Sequence, residues 1–107
     1  MIAITGVTMI DGTGEHPLEN ATVLINEDKI EAVGPASSVQ VPADASVIDG
    51  SGMTLLPGLI DCHDHLASMS YEIASRWGIV EMRSQRHLRI ALVLRETLET
   101  GYTTVRD

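Results

Sequence analysis

The sequence has no phenylalanine, a single cysteine and only 3% aromatic residues among its 107 positions. Without large aromatic anchors, a core has to be assembled from Val, Ile, Leu, Met and Ala. The lone thiol, Cys62, excludes an intrachain disulfide and gives no sign of an oxidising compartment, so the cytoplasm is the expected location. Cations are scarce as well: 7 Lys and Arg stand against 15 Asp and Glu, for a net charge of −8. Those few cations are scattered, so neither nucleic acid nor an anionic membrane is an expected partner, and the acidity reads as a solvated surface. No apolar run reaches the roughly 20 residues that a bilayer-spanning helix needs. The segment Met1-Ile2-Ala3-Ile4-Thr5-Gly6 also lacks the basic and apolar stretches of a secretory signal, so a soluble chain is expected. What remains, 44% hydrophobic and 21% charged, is ordinary for a folded chain and far from the composition of disorder.

The pattern changes at Pro57-Gly58. Before it, short β-type runs at 2–10, 21–26, 29–33, 46–48 and 53–56 are separated by turn formers, which predicts a small all-β domain, sheet or sandwich-like, over 1–57. Asp11-Gly12-Thr13-Gly14 ends the first run, and Gly34-Pro35 stops the third because proline cannot donate to a ladder. Glu27-Asp28 links the second and third runs as a hairpin, although it is not the favoured Asn-Gly or Asp-Gly pair. After Gly58 comes an apolar strand at 59–62, a polar stretch, a long helical pattern and a strand at 102–105, the order β-α-β. Leu88, Ala91, Leu92 and Leu98 recur at helical spacing, and Arg86, Arg89, Arg95, Glu96 and Glu99 supply the solvated side. Gly101 is placed to end that helix in the left-handed region.

The chemistry concentrates in Asp61-Cys62-His63-Asp64-His65. If the strand persists, alternation puts Asp61, His63 and His65 on one face and Ile60, Cys62 and Asp64 on the other. Two neutral imidazoles on one face can fill two corners of a zinc-type coordination polyhedron. Spacing alone leaves a plain alternative, in which each ring is a hydrogen-bonded strand residue. Asp61 can either orient a ligand or bond the backbone, and Cys62 is expected to face the helical layer as a small hydrophobe. Asp64 shares the outward parity unless the chain turns there, and Asp107 sits at the end of the second strand with its facing open.

The run from Leu56 to Leu66, Leu-Pro-Gly-Leu-Ile-Asp-Cys-His-Asp-His-Leu, resembles the first barrel strand of the amidohydrolase superfamily, whose hallmark is a paired histidine at the carboxyl end of that strand. Further similar blocks are Ile10-Asp11-Gly12-Thr13-Gly14, residues 21–25, 30–34 and 47–50, and Gly101-Tyr102-Thr103-Thr104-Val105-Arg106-Asp107. Their order is similar to the branch with imidazolonepropionase-like and Xaa-Pro dipeptidase-like hydrolases. The resemblance implies an α/β chain in which a small β domain precedes a (β/α)8 barrel, with 58–107 as its first β-α-β segment. Such a barrel takes about 250 residues, so the barrel is incomplete in this chain. It implies His63 and His65 as ligands of one or two divalent ions, zinc first among them. It further implies hydrolysis of amide or cyclic amide C–N bonds in a small-molecule substrate, with the catalytic residues and remaining ligands beyond residue 107. A homo-oligomer is compatible with this reading. The alternative is a non-catalytic binding or scaffold relative that keeps the fold and the two histidines.

Other polar residues carry plainer readings. His16 beside Pro17 and His87 within the helical run are expected to be solvated or locally paired. Gly12 and Gly14 lack the third glycine and the following helix of a phosphate loop, so a turn is expected. Met69, Trp77 and Met82, between the strand and the helix, either pack as core or line a substrate entrance, and core is the plainer expectation.

Overall fold

A computed structural model describes residues 1–67, Gly78 and 81–107. They form two compact units, Met1–Pro57 and Gly58–Asp107. In the first unit five strands, β1 (Ile2–Met9), β2 (Leu18–Asn26), β3 (Lys29–Pro35), β4 (Ser46–Asp49) and β5 (Thr54–Leu55), join one mixed sheet. Of the sheet and the sandwich that the sequence left open, the described strands form the sheet.

The centre of this sheet is β1, which pairs antiparallel with β2 on one edge and parallel with β4 and then β5 on the other. Between those two partners the chain must step across, and Gly50 makes the step: its N–H donates to the Thr5 carbonyl at 2.8 Å. A Cβ on Gly50 would run into the Val7 side chain, so the close approach excludes every larger residue there. Ala3, Val7, Ala21, Val23 and Leu24 are buried, as is Thr22. Four consecutive buried residues, Ala21 to Leu24, mean that both faces of β2 are covered, because neighbours on a strand point opposite ways. The β2–β3 hairpin forms in the expected place, with Asn26 opposite Lys29 and Glu27-Asp28 as its loop.

The second unit contains β6 (Leu59–Asp61), α1 (Arg83–Glu99) and β7 (Tyr102–Val105), and β6 pairs parallel with β7. This is the β-α-β order read from the sequence. Gln85 Oε1 accepts the N–H of Met82 at 3.0 Å, which satisfies one free donor at the start of α1. At the other end Gly101 takes a φ of 99° and donates to the Leu98 carbonyl at 3.0 Å, the left-handed stop expected of it. Met82 is 62% exposed rather than core: it is the N-cap of a helix none of whose residues is buried, so no layer covers it there. Met69 and Trp77 lie outside the described residues. No helix among the described residues is long and apolar enough to cross a membrane.

Candidate metal centre

The ladder between β6 and β7 ends at Asp61, one residue earlier than the sequence pattern suggests. Asp61 itself causes the departure: its Oδ1 accepts the backbone N–H of His63 at 3.0 Å, which turns the chain out of the strand. Of the two roles open to Asp61, the structure therefore places it on the backbone. Asp64 repeats the device, its Oδ1 accepting the N–H of His65 at 2.7 Å. Two backbone bonds tie this turn to Arg106, the residue after β7: Arg106 N–H donates to the Asp61 carbonyl at 2.8 Å and Asp64 N–H donates to the Arg106 carbonyl at 2.9 Å.

The two histidine rings meet within this turn. His63 Nε2 and His65 Nε2 are 3.2 Å apart, with ring centroids 5.0 Å apart and planes inclined at 75°. His65 Nδ1 faces Asp107 Oδ1 at 4.0 Å. A cleft of about 240 Å³ is lined by Cys62, His63, His65, Arg106 and Asp107. Cys62 thus corrects the expectation from strand parity: it is exposed on the histidine cleft. Alternation stops applying once the strand stops at Asp61.

Arg89 and Glu81 are the residues that sequence reasoning missed. Arg89 was expected on the solvated side of α1, yet its side chain is only 28% exposed and Glu81's only 7%. Glu81 takes both Arg89 Nε at 2.7 Å and Arg89 Nη2 at 3.0 Å, and Arg86 Nε adds a third bond at 3.2 Å. The Arg89 hydrogen bond holds the Glu81 carboxyl below its ordinary range, and the same bond raises the Arg89 guanidinium. Glu81 lies eight residues before Arg89 and outside the helix, so no helical pair spacing announced it. By contrast Arg95 and Glu99 pair at 2.7 Å in the exposed i, i+4 manner expected of a solvated face.

The remaining candidates are not among the residues that line the cleft. His16 and His87 are exposed. Asp11 Oδ1 accepts both the N–H and the hydroxyl of Thr13, at 2.9 and 2.7 Å, and these bonds, the backbone one first, hold its carboxyl below the usual aspartate range. Gly12 and Gly14 take φ values of 82° and 91°, so the segment is a turn. Among the described residues no group of three or more His, Cys, Asp and Glu side chains stands ready to hold a metal ion.

No protein-family model matches the chain. An imidazolonepropionase from Idiomarina loihiensis is 47% identical over 76 residues, covering 68% of this chain and 19% of that protein. The structure of a prolidase complexed with N-methylphosphonate-L-proline superposes with a TM-score of 0.81 at 28% identity, covering 99% of this chain and 25% of that one.

The chain belongs to the amidohydrolase superfamily.

A further structure, a mutant atrazine chlorohydrolase from Arthrobacter aurescens complexed with zinc and atraton, gives a TM-score of 0.69 at 35% identity over 100% of this chain and 28% of that one. Several relatives of this chain, among them imidazolonepropionase, dihydroorotase and a deaminase, are hydrolases acting on carbon–nitrogen bonds in small molecules. The chain spans less than a fifth of the length of its curated relatives and about a quarter of the solved structures, and corresponds to their amino-terminal part.

Proposed function

We propose that this chain supplies the first two metal ligands, His63 and His65, of a metal-dependent amidohydrolase that cleaves amide or cyclic amide C–N bonds with water. In this reading 1–57 is the small β domain and 58–107 the opening β-α-β segment of a (β/α)8 barrel. The observation that carries the proposal is the approach of the two Nε2 atoms to 3.2 Å. Two nitrogens each about 2.0–2.1 Å from one tetrahedral zinc lie roughly 3.3–3.4 Å apart, so the pair fits a shared ion with almost no movement. Imidazole nitrogen also suits zinc and its neighbours among the divalent metals.

When bound, such an ion lowers the pKa of water and polarises a carbonyl. For both Nε2 atoms to offer lone pairs, both rings must be neutral with the proton on Nδ1. Asp107 Oδ1 lies 4.0 Å from His65 Nδ1, beyond hydrogen-bond reach, so the carboxylate does not itself fix the tautomer of that ring. The other ligands, the groups that move protons and the residues that select a substrate are assigned to parts of the protein outside these 107 residues. That assignment is supported by the fraction of each relative that the chain spans.

The test is metal analysis and turnover of the full-length protein carrying His63→Ala or His65→Ala, assayed on a panel of amides, cyclic amides and dipeptides. Each variant should lose metal stoichiometry and at least about a thousandfold in kcat/KM, roughly 4 kcal/mol of transition-state stabilisation. Full metal occupancy with unchanged turnover in both variants would remove these residues from the site.

A further inference from the structure

One residue just past the histidine pair is gripped at both of its backbone polar groups by charged side chains from distant elements. Ala67 donates its N–H to Asp107 Oδ2 at 3.3 Å, and its carbonyl accepts Arg89 Nη2 at 3.1 Å. The partners lie 40 and 22 residues away in sequence, one just past β7 and the other on α1. Neither bond is a local turn contact. Together they tie the exit of the histidine segment to the second strand and the helix at once.

Arg89 reaches Ala67 from a fixed position. Glu81 takes its guanidinium by two nitrogens, Nε and Nη2, a forked pairing that sets orientation as well as distance. Upstream, the same segment is tied to Arg106, just past β7, through the Asp61 carbonyl and the Asp64 N–H. The stretch from Asp61 to Ala67 is therefore anchored before, between and after its two histidines. An anchored segment holds the Nε2 atoms together ahead of any ligand, whereas a free one would have to be ordered on binding at an entropic cost.

We infer that Arg89, held by Glu81, and Asp107 are positioning residues for the His63–His65 pair, acting through the backbone of Ala67. The inference rests on the proposed reading of the two histidines as metal ligands. Arg89 and Asp107 do not touch the ion in this account. Their effect appears in how tightly, and in what geometry, the histidines take it.

The experiment uses the full-length protein, stripped with a chelator and titrated with zinc against a competing indicator, and separately loaded with cobalt(II) for its visible spectrum. Arg89→Met and Asp107→Ala should each weaken zinc binding by about 10- to 100-fold and shift the cobalt bands. Arg89→Lys, which keeps the charge and loses the fork, should fall between wild type and Arg89→Met. Asp107→Asn, which keeps an acceptor for Ala67, should recover most of the loss. Arg95→Gln, on the exposed face of the same helix, should bind as wild type does. If Arg89→Met fails to fold, Arg89→Lys decides: wild-type affinity and spectrum in that variant overturn the role of Arg89. Wild-type zinc binding in Arg89→Met and Asp107→Ala, while His63→Ala loses zinc, overturns the positioning role alone. Retention of zinc by both histidine variants overturns the ligand reading, and this inference falls with it.

Discussion

Glu27 occupies the left-handed region with a φ of 54°, at the first position of the β2–β3 loop. A residue with a Cβ loses roughly 1–2 kcal/mol there relative to glycine, while glycine gives back about 0.5–1 kcal/mol in unfolded-chain entropy. Glu27→Gly is therefore expected to stabilise the protein by about 0.5–1 kcal/mol, read as a rise in the denaturant midpoint with an unchanged slope. A fall in the midpoint would mean that Glu27 makes a compensating contact. The hairpin was legible in the sequence although its turn chemistry is poor, since the β-type runs on either side define a two-residue link. Strand parity fared differently in the metal cleft. It paired His63 with His65, but the pairing arises from a turn that Asp61 and Asp64 build with their side chains. The same turn brings Cys62 onto the cleft, where parity had turned it away. A periodicity rule carries no information about the residue at which a carboxylate begins to compete for the backbone.

Among the elements, the β6–β7 pair depends on Gly58 more than its sequence position suggests. A Cβ at Gly58 would overlap the Thr103 side chain on β7, and the next residue already donates to the Gly101 carbonyl at 2.8 Å. Gly58→Ala must therefore push the two strands apart or shear them. Overpacking of this kind costs about 1–3 kcal/mol, and thermal unfolding should register it. Combining it with Thr103→Gly removes the obstructing side chain and should restore part of the loss; strictly additive effects of the two changes would show that the clash is absent. The β-α-β order and the glycine stop of α1 were legible because apolar spacing and a left-handed cap leave direct traces in a sequence. The Arg89–Glu81 grip was not, since its partners are brought together by folding and share no helical spacing.

At the scale of the whole molecule, the helix gives the clearest sign of how much of the structure the 107 residues hold. Of the apolar positions that the sequence marked as a face, Leu88, Leu92 and Leu98 are 71%, 62% and 62% exposed, Ala91 is exposed too, and no residue of α1 is buried. An apolar stripe of this kind is ordinarily covered by a neighbouring layer. Among the described residues the two-stranded β6–β7 ladder also has unpaired edges, which attract other chains. The solved amidohydrolase relatives are about four times as long as this chain. It follows that the 107 residues expressed alone should bind zinc weakly, because two imidazoles fall short of the three protein ligands usual in a catalytic site. They should also self-associate, with Leu88→Glu and Leu92→Glu raising the monomer fraction in analytical ultracentrifugation. Calorimetry should give a zinc dissociation constant no tighter than about micromolar, and none of the amide, cyclic amide or dipeptide substrates should turn over. A monomer that binds one zinc at nanomolar strength and hydrolyses any of them would place a third ligand within this segment, with Cys62 and Asp107, which line the same cleft, as the first residues to substitute.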